Sequence, residues 1–128
     1  MTTERGVVLL VDDDYDVREV YAEALTESGF DVATAPNGRD ALQYLERTSQ
    51  VPSVILVDLM MPVMSGKEFV EELRRRDAFQ NTSIVVMTAS RTLPSIDGTT
   101  HLYKPFSLES LCEAVRRSMT AHDRAIAT

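Results

Sequence analysis

The sequence predicts an α/β domain built on a parallel sheet with helices on both faces. Short, uninterrupted apolar runs such as residues 7–11 and 54–57 are typical of strands covered on both faces. Between these runs, apolar residues recur at three- and four-residue steps, which indicates amphipathic helices. Strands that alternate with helices favour right-handed crossovers, and these produce a parallel sheet.

The ends of the elements can be placed from residues that begin or stop a strand or helix. Strands are predicted at residues 7–11, 30–35, 54–57 and 84–87, with a weaker fifth strand at 102–103. Helix starts are predicted from capping side chains, namely Asp14 or Asp16, then Asn37, then Ser65 with Glu68 three residues on, and finally Ser107. Gly29 ends the first helix.

Composition and charge limit the function classes. The chain has 128 residues, which suits one domain, and we assign residues 1–120 to it and 121–128 to a C-terminal tail. A formal charge of −7 argues against contact with nucleic acid or an anionic membrane surface. The single basic cluster, residues 74–76, is interpreted as the solvated end of a helix. Without a signal peptide, a membrane span or a disulfide framework, the chain is expected to be cytoplasmic.

Polar residues stand where four of the predicted strands end. Because parallel strands end at the same rim, we expect five residues to meet there, namely Asp12, Asp13, Asp58, Thr88 and Lys104. Crowded carboxylates repel one another unless a cation lies among them, and hard oxygen ligands suit Mg²⁺. Asp58 could then act as a carboxylate nucleophile toward phosphorus. Lys104 would place a positive charge beside the phosphoryl oxygens, and Thr88 would provide a hydroxyl to them.

Four segments, in this order, resemble the receiver domain of the two-component response regulators: residues 10–14, 57–66, 87–89 and 103–106. The resemblance spans nearly the whole chain. It implies a flavodoxin-like sheet of strand order 2-1-3-4-5. It also implies that Asp58 accepts a phosphoryl group from a histidine kinase, a phosphorelay protein or a small phosphodonor. Such a domain is a signalling module, and the reactions it catalyses are its own phosphorylation and slow self-dephosphorylation.

The resemblance also implies individual roles. Asp13, Asp58 and the backbone carbonyl of Met60 would ligate Mg²⁺ or Mn²⁺ directly, and Asp12 would act through water. The peptide bond between Lys104 and Pro105 is usually cis in the family. Met60 and a further residue, Ser90, lie at the positions that would flank a hydrolytic water. Because a thioether orients water poorly, Met60 predicts slow dephosphorylation.

The family switch pairs the position of Thr88 with an aromatic residue three before the lysine, where His101 stands. We expect Thr88 to turn toward the phosphoryl group and the His101 ring to fill the vacated space, although His101 could equally be an ordinary edge-strand histidine. The partners implied are a sensor histidine kinase or phosphotransfer protein, an output protein or a removed output domain, and a second copy of the chain upon phosphorylation.

One departure from the family concerns the link between the fourth and fifth strands. It is about half a dozen residues shorter than the resemblance predicts and contains Pro94 and Gly98. A crossover needs about ten to twelve residues including its helix. We therefore expect the fourth helix to be short or irregular, with Pro94 possible at its first turn. The output surface would then be modified.

Three other interpretations compete. Asp12, Asp14 and Asp16 imitate the spacing of an EF-hand loop, but Val17 stands where that loop needs glycine. The acidic triplet also resembles the nucleophile motif of haloacid-dehalogenase-type phosphohydrolases, which would leave Asp58 without a role. A pseudo-receiver, which binds partners without phosphate, would have no physical reason to keep three carboxylates together.

Overall fold

A computed structural model describes residues 6–92 and 95–127 of the chain. In chain order the elements are β1 Val7–Val11, α1 Tyr15–Glu27, β2 Asp31–Ala35, α2 Gly38–Arg47, β3 Val54–Asp58, α3 Gly66–Arg74, a 3₁₀ turn at Asp77–Phe79, β4 Ser83–Thr88, β5 Thr100–Tyr103 and α4 Leu108–Ala127. The 3₁₀ turn has no counterpart among the predicted elements.

The strands form one sheet of order β2-β1-β3-β4-β5, in which every neighbouring pair is parallel. The predicted fold class and strand order are therefore confirmed. Alternate residues of the central strands enter two separate cores, which explains why the strand sequences are apolar at every position. Leu9 and Ile55 pack under Phe69 of α3, whereas Leu10 and Leu56 pack in the core that includes α4.

The predicted helix caps are present. The side chains of Asp14 and Asn37 accept hydrogen bonds from the first turns of α1 and α2. Ser65 and Glu68 form the reciprocal capping box of α3. The Ser107 hydroxyl accepts the Ser110 N–H at the start of α4, at 3.0 Å. These bonds satisfy backbone donors that a helix start leaves free.

The link between β4 and β5 contains no helix within its described residues, 89–92 and 95–99. This agrees with the prediction of a short or irregular fourth helix, and the predicted helical turn at Pro94 lies outside the described residues. Ile96 covers part of the core instead. The Arg74 guanidinium donates to the carbonyls of Phe79, Thr82 and Gly98, at 3.1, 3.3 and 3.2 Å.

Arg74 corrects one sequence interpretation. We predicted a solvated basic helix end, but burial lowers the pKa of the Arg74 guanidinium, and its donors serve backbone carbonyls. The planar fork of arginine can bind several carbonyls at once, which a helix-end pattern in the sequence does not reveal. Arg74 thus fastens the β4–β5 link to the end of α3.

The C-terminal helix is longer than predicted. α4 continues through residues 121–127, which we assigned to a tail without a pattern. His122 Nδ1 lies 2.8 Å from the Asn81 carbonyl oxygen, so the added turn contacts the domain, and alanine and arginine residues there favour a helix. Among the described helices, no segment is both long and apolar enough to cross a membrane.

Candidate functional site

The carboxyl ends of the strands bring three acidic side chains together. Asp58 is the last residue of β3, and Asp12 and Asp13 follow β1 directly. One carboxylate oxygen from each lies within 4.8 Å of the others. Asp12 and Asp58 are buried, whereas Asp13 is exposed to solvent. The three carboxylates therefore lie close together at the rim of the sheet.

Lys104 supplies the positive charge nearest to Asp58. It follows β5, and its Nζ lies 3.4 Å from Asp58 Oδ2. The peptide bond between Lys104 and Pro105 is cis, as the resemblance implies. The other oxygen, Asp58 Oδ1, accepts the backbone N–H of Met60 at 3.3 Å. Burial raises the pKa of the Asp58 carboxyl, and the charge of Lys104 and the Met60 N–H oppose that rise.

The Asp12 carboxylate has one bonded oxygen and one buried oxygen without a partner, as expected of a group that binds a cation. Its Oδ1 accepts the Asp14 N–H at 3.0 Å, while its Oδ2 is buried without a hydrogen-bond partner. Burial raises the pKa of Asp12; the Asp14 N–H lowers it, and the charge of Asp58 raises it further. A buried carboxylate oxygen without a donor is costly. The donor set, three carboxylates with one orphaned oxygen, fits a hard divalent cation such as Mg²⁺.

These pKa shifts predict how stability depends on pH in the absence of metal. Because the folded-state pKa of Asp12 is raised, its protonated form favours folding below about pH 4, and this contribution is lost as the pH rises through the folded pKa. Asp12→Asn should therefore stabilise the metal-free protein at pH 7 by about 1–3 kcal/mol. Urea unfolding at pH 7 and pH 4 measures the difference, which should shrink at the lower pH.

The same variant keeps the Asp14 bond, because the asparagine carbonyl still accepts the N–H. Added Mg²⁺ should stabilise the wild type more than Asp12→Asn, which keeps only the other two carboxylates of the cluster. A variant that is less stable than the wild type at pH 7 without metal would show that the Asp12 carboxylate is not under strain.

The loop from β3 to α3 has a tightly constrained backbone. The Gly66 N–H donates to the Leu59 carbonyl at 2.9 Å, and a Cβ at Gly66 would stand 2.7 Å from the Asp58 carbonyl oxygen. Val63 has φ of 71°, which a β-branched residue rarely adopts. Met60, two residues after Asp58, is 71% exposed. The loop therefore restrains the backbone of Asp58 and leaves Met60 exposed to solvent.

Thr88 and Ser90 lie together at the end of β4. The Thr88 hydroxyl is buried and accepts the Ser90 N–H at 3.0 Å. In the sheet, Thr88 is paired with Tyr103, whereas His101 is paired with Val86. The ring of His101 stacks on that of Tyr103 with centroids 6.2 Å apart. Tyr103, rather than His101, is thus the aromatic residue directly beside Thr88.

Sequence reasoning missed three residues at this site. The Arg18 guanidinium donates to the Asp12 carbonyl at 2.6 Å, Gly66 supports the Asp58 backbone, and Tyr103 neighbours Thr88. Arg18 is one helical turn into α1, so its side chain can reach back to the rim. A glycine directly after the capping serine was a usable sign of a close backbone approach.

Comparison with known proteins identifies the family. The family model described as the response regulator receiver domain matches residues 8–116. The chain belongs to this family. Receiver domains bind Mg²⁺ at an acidic cluster, which here consists of Asp12, Asp13 and Asp58.

Curated relatives of this receiver domain include Sporulation initiation phosphotransferase F of Bacillus subtilis, 30% identical over 86% of this chain and 90% of that protein. Response regulator Rre1 of Synechocystis is 36% identical over 92% of this chain but 53% of its own length. Sensor histidine kinase CheAY of Helicobacter pylori is 31% identical over 88% of this chain. The aligned part is only 15% of that longer protein. This receiver domain therefore matches both a protein of its own size and segments of longer proteins.

Solved structures show the same fold. The chemotaxis protein CheY4 of Vibrio cholerae superimposes with a TM-score of 0.81 at 33% identity, covering 90% of this receiver domain and 99% of that chain. A CheY-like receiver domain protein of Methanospirillum hungatei gives a TM-score of 0.83 at 27% identity, over 94% of this domain and 99% of that chain.

Proposed function

We propose that this receiver domain is phosphorylated on Asp58 in a reaction that requires Mg²⁺, and that the aspartyl phosphate changes a partner-binding surface. The observation that carries this proposal is the buried Asp58 carboxylate, which lies 3.4 Å from the Lys104 Nζ and clusters with the carboxylates of Asp12 and Asp13. A pure interaction module has no use for such a costly cluster.

Each side chain has a role that its chemistry suits. An Asp58 carboxylate oxygen attacks phosphorus, the phosphodonor keeps the electrons of the broken bond, and an acyl phosphate forms. The Lys104 ammonium binds a phosphoryl oxygen, and the Thr88 hydroxyl donates to another. Both groups stabilise charge on the equatorial oxygens during transfer.

The ligands for the cation follow from the same cluster. Asp13, Asp58 and the Met60 backbone carbonyl would hold Mg²⁺ or Mn²⁺ directly, and Asp12 would act through a bound water. Bound there, the divalent cation supplies positive charge beside the phosphoryl oxygens. The buried, unpartnered Oδ2 of Asp12 supports this assignment.

The phosphodonor and the readout follow from the family. A histidine kinase or a phosphotransfer protein would supply the phosphoryl group. A cytoplasmic location of this receiver domain would give it access to either donor. Thr88 and His101 would form the switch, and an output protein, an output domain or a second copy would bind the altered surface. The absence of a helix from the described part of the β4–β5 link makes that surface unlike the usual one.

Phosphoramidate tests the proposal because its phosphorus–nitrogen bond resembles that of phosphohistidine. With Mg²⁺, the intact mass should rise by one phosphoryl group, and hydroxylamine, which cleaves acyl phosphates, should remove it. If neither phosphoramidate nor acetyl phosphate adds mass at any concentration, the chain is a phosphorylation-independent interaction module.

Met60 predicts the lifetime of the aspartyl phosphate. Met60 is exposed two residues after Asp58, and its thioether orients water poorly, so wild-type dephosphorylation should be slow. In Met60→Asn, one added hydrogen bond to the attacking water should shorten the half-life about fivefold. The decay of the phosphorylated mass after donor removal measures it. Met60→Leu, which stays apolar, should match the wild type, and a longer half-life in Met60→Asn would refute the idea.

A further inference from the structure

The described part of the link between β4 and β5 contains a cation that contacts an aromatic ring. The guanidinium carbon of Arg91 lies 4.4 Å from the centroid of the Tyr103 ring. On the same strand, the Tyr103 and His101 rings are 6.2 Å apart and inclined by 20°. Arg91 is exposed, while the two rings are half-buried. A cation at this distance from a ring is attracted by its electron-rich face.

Both members of this pair are directly adjacent to residues bonded to the phosphorylation site. Arg91 follows Ser90, whose N–H donates to the Thr88 hydroxyl at 3.0 Å. Tyr103 precedes Lys104, whose N–H donates to the Thr88 carbonyl at 2.8 Å and whose Nζ lies 3.4 Å from Asp58. The contact therefore closes a ring of bonded residues that begins and ends at Thr88.

The turn that carries Arg91 is held by side chains rather than by a helix. None of the described residues 89–92 is helical, and the Ser90 hydroxyl accepts the Thr92 N–H at 3.3 Å. If the Thr88 side chain rotates so that its hydroxyl donates to a phosphoryl oxygen on Asp58, the hydroxyl oxygen moves away from the Ser90 N–H. The turn then loses one of the bonds that hold Arg91 over the Tyr103 ring.

We propose that Arg91 is a positioning residue that holds Tyr103 in the resting conformation and releases it when Asp58 is phosphorylated. This rests on the proposed phosphorylation. The released ring and its neighbour His101 then form the altered part of the surface at the edge of β5. The signal passes through a short turn and one cation–ring contact, in a link whose described residues, 89–92 and 95–99, form no helix.

Coupling between the two sites must be reciprocal. If phosphorylation releases the Arg91 contact, removing the contact favours the phosphorylated conformation to the same extent. An exposed cation–ring contact corresponds to about a two- to fivefold change in an equilibrium constant. Arg91→Ala should therefore bind a phosphoryl mimic about two- to fivefold more tightly than the wild type does.

The test uses protein labelled with 3-fluorotyrosine. The protein is titrated, in the presence of Mg²⁺, with beryllium fluoride, which binds the aspartate and mimics its phosphoryl group. The Tyr103 signal in the fluorine spectrum is assigned with Tyr103→Phe. In the wild type this signal should move on titration. In Arg91→Ala the half-saturating concentration of beryllium fluoride should fall two- to fivefold. Arg91→Lys keeps a cation, so its half-saturating concentration should lie closer to that of the wild type.

Arg117 provides a matched control, because it is an exposed arginine of α4 that pairs with Glu113. Arg117→Ala should titrate like the wild type. An unchanged or raised half-saturating concentration in Arg91→Ala, or a Tyr103 signal that does not move in the wild type, would overturn the proposal. If the wild type takes up a phosphoryl group on Asp58 in such a case, only the role of Arg91 fails and the proposed function stands.

Discussion

Phosphoryl transfer to Asp58 should fall by about a hundredfold or more when Mg²⁺ is removed with a chelator. The incoming phosphoryl group meets three carboxylates whose oxygens lie within 4.8 Å of one another. Two unit charges about 5 Å apart repel by about 3 kcal/mol at an effective dielectric constant of about 20. That repulsion corresponds to about a hundredfold in rate. Lys104 alone balances only one of these charges.

Asp13→Asn should reproduce this loss at moderate Mg²⁺ and recover partly at high Mg²⁺, since it removes one ligand. Asp14→Asn is the matched control, because it removes one charge from the same acidic triplet, and asparagine caps a helix as well as aspartate does. Rates of mass gain with acetyl phosphate compare the variants. Equal losses in both variants, or uptake that is indifferent to the chelator, would contradict the metal site.

Gly66→Ala should destabilise the protein by about 2–3 kcal/mol, near the upper end for an overpacked position. The new Cβ would stand 2.7 Å from the Asp58 carbonyl oxygen and 2.8 Å from the Leu59 Cα. Both are backbone atoms, so the end of β3 must move. Because Asp58 ends that strand, the rate of phosphorylation should fall together with the free energy of unfolding.

Gly38→Ala provides the comparison at the first residue of α2. There the three atoms nearest to the new Cβ all belong to the flexible side chain of Met64, and its sulfur is the nearest at 2.9 Å. Alanine also favours a helix more than glycine does, so this variant should remain near wild-type stability. Urea unfolding of the two variants measures the contrast. Equal stabilities and equal phosphorylation rates would show that the approach at Gly66 imposes no constraint on Asp58.

The sequence was sufficient for the sheet and for the acidic cluster, and the reason is local. Every residue of β1 is buried, so its apolar run reports its position directly. Asp12, Asp13 and Asp58 follow such runs at once, and parallel strands deliver their ends to one rim. The capping residue Ser65 likewise acts on atoms three residues away, within its own helix.

Long-range side-chain choices could not be inferred in the same way. Arg74 binds the Gly98 carbonyl, 24 residues away, and nothing in a basic run announces that partner. The cross-strand neighbour of Thr88 is set by the register between β4 and β5, which pairs Thr88 with Tyr103 and which the sequences of the strands do not define. Beyond residue 120, α4 makes a contact between His122 and the Asn81 carbonyl, and a partner so distant in sequence is not visible in the residue pattern of the tail.

The identity of the phosphorylated residue tests the central claim most directly. Wild type and Asp58→Asn are incubated with acetyl phosphate and Mg²⁺, and both intact mass and the modified peptide are measured. The wild type should gain one phosphoryl group, located on the peptide that contains Asp58, and Asp58→Asn should gain none. A gain of equal size in Asp58→Asn, or a modified peptide that contains Asp12 and Asp13 instead, would contradict Asp58 as the phosphoacceptor.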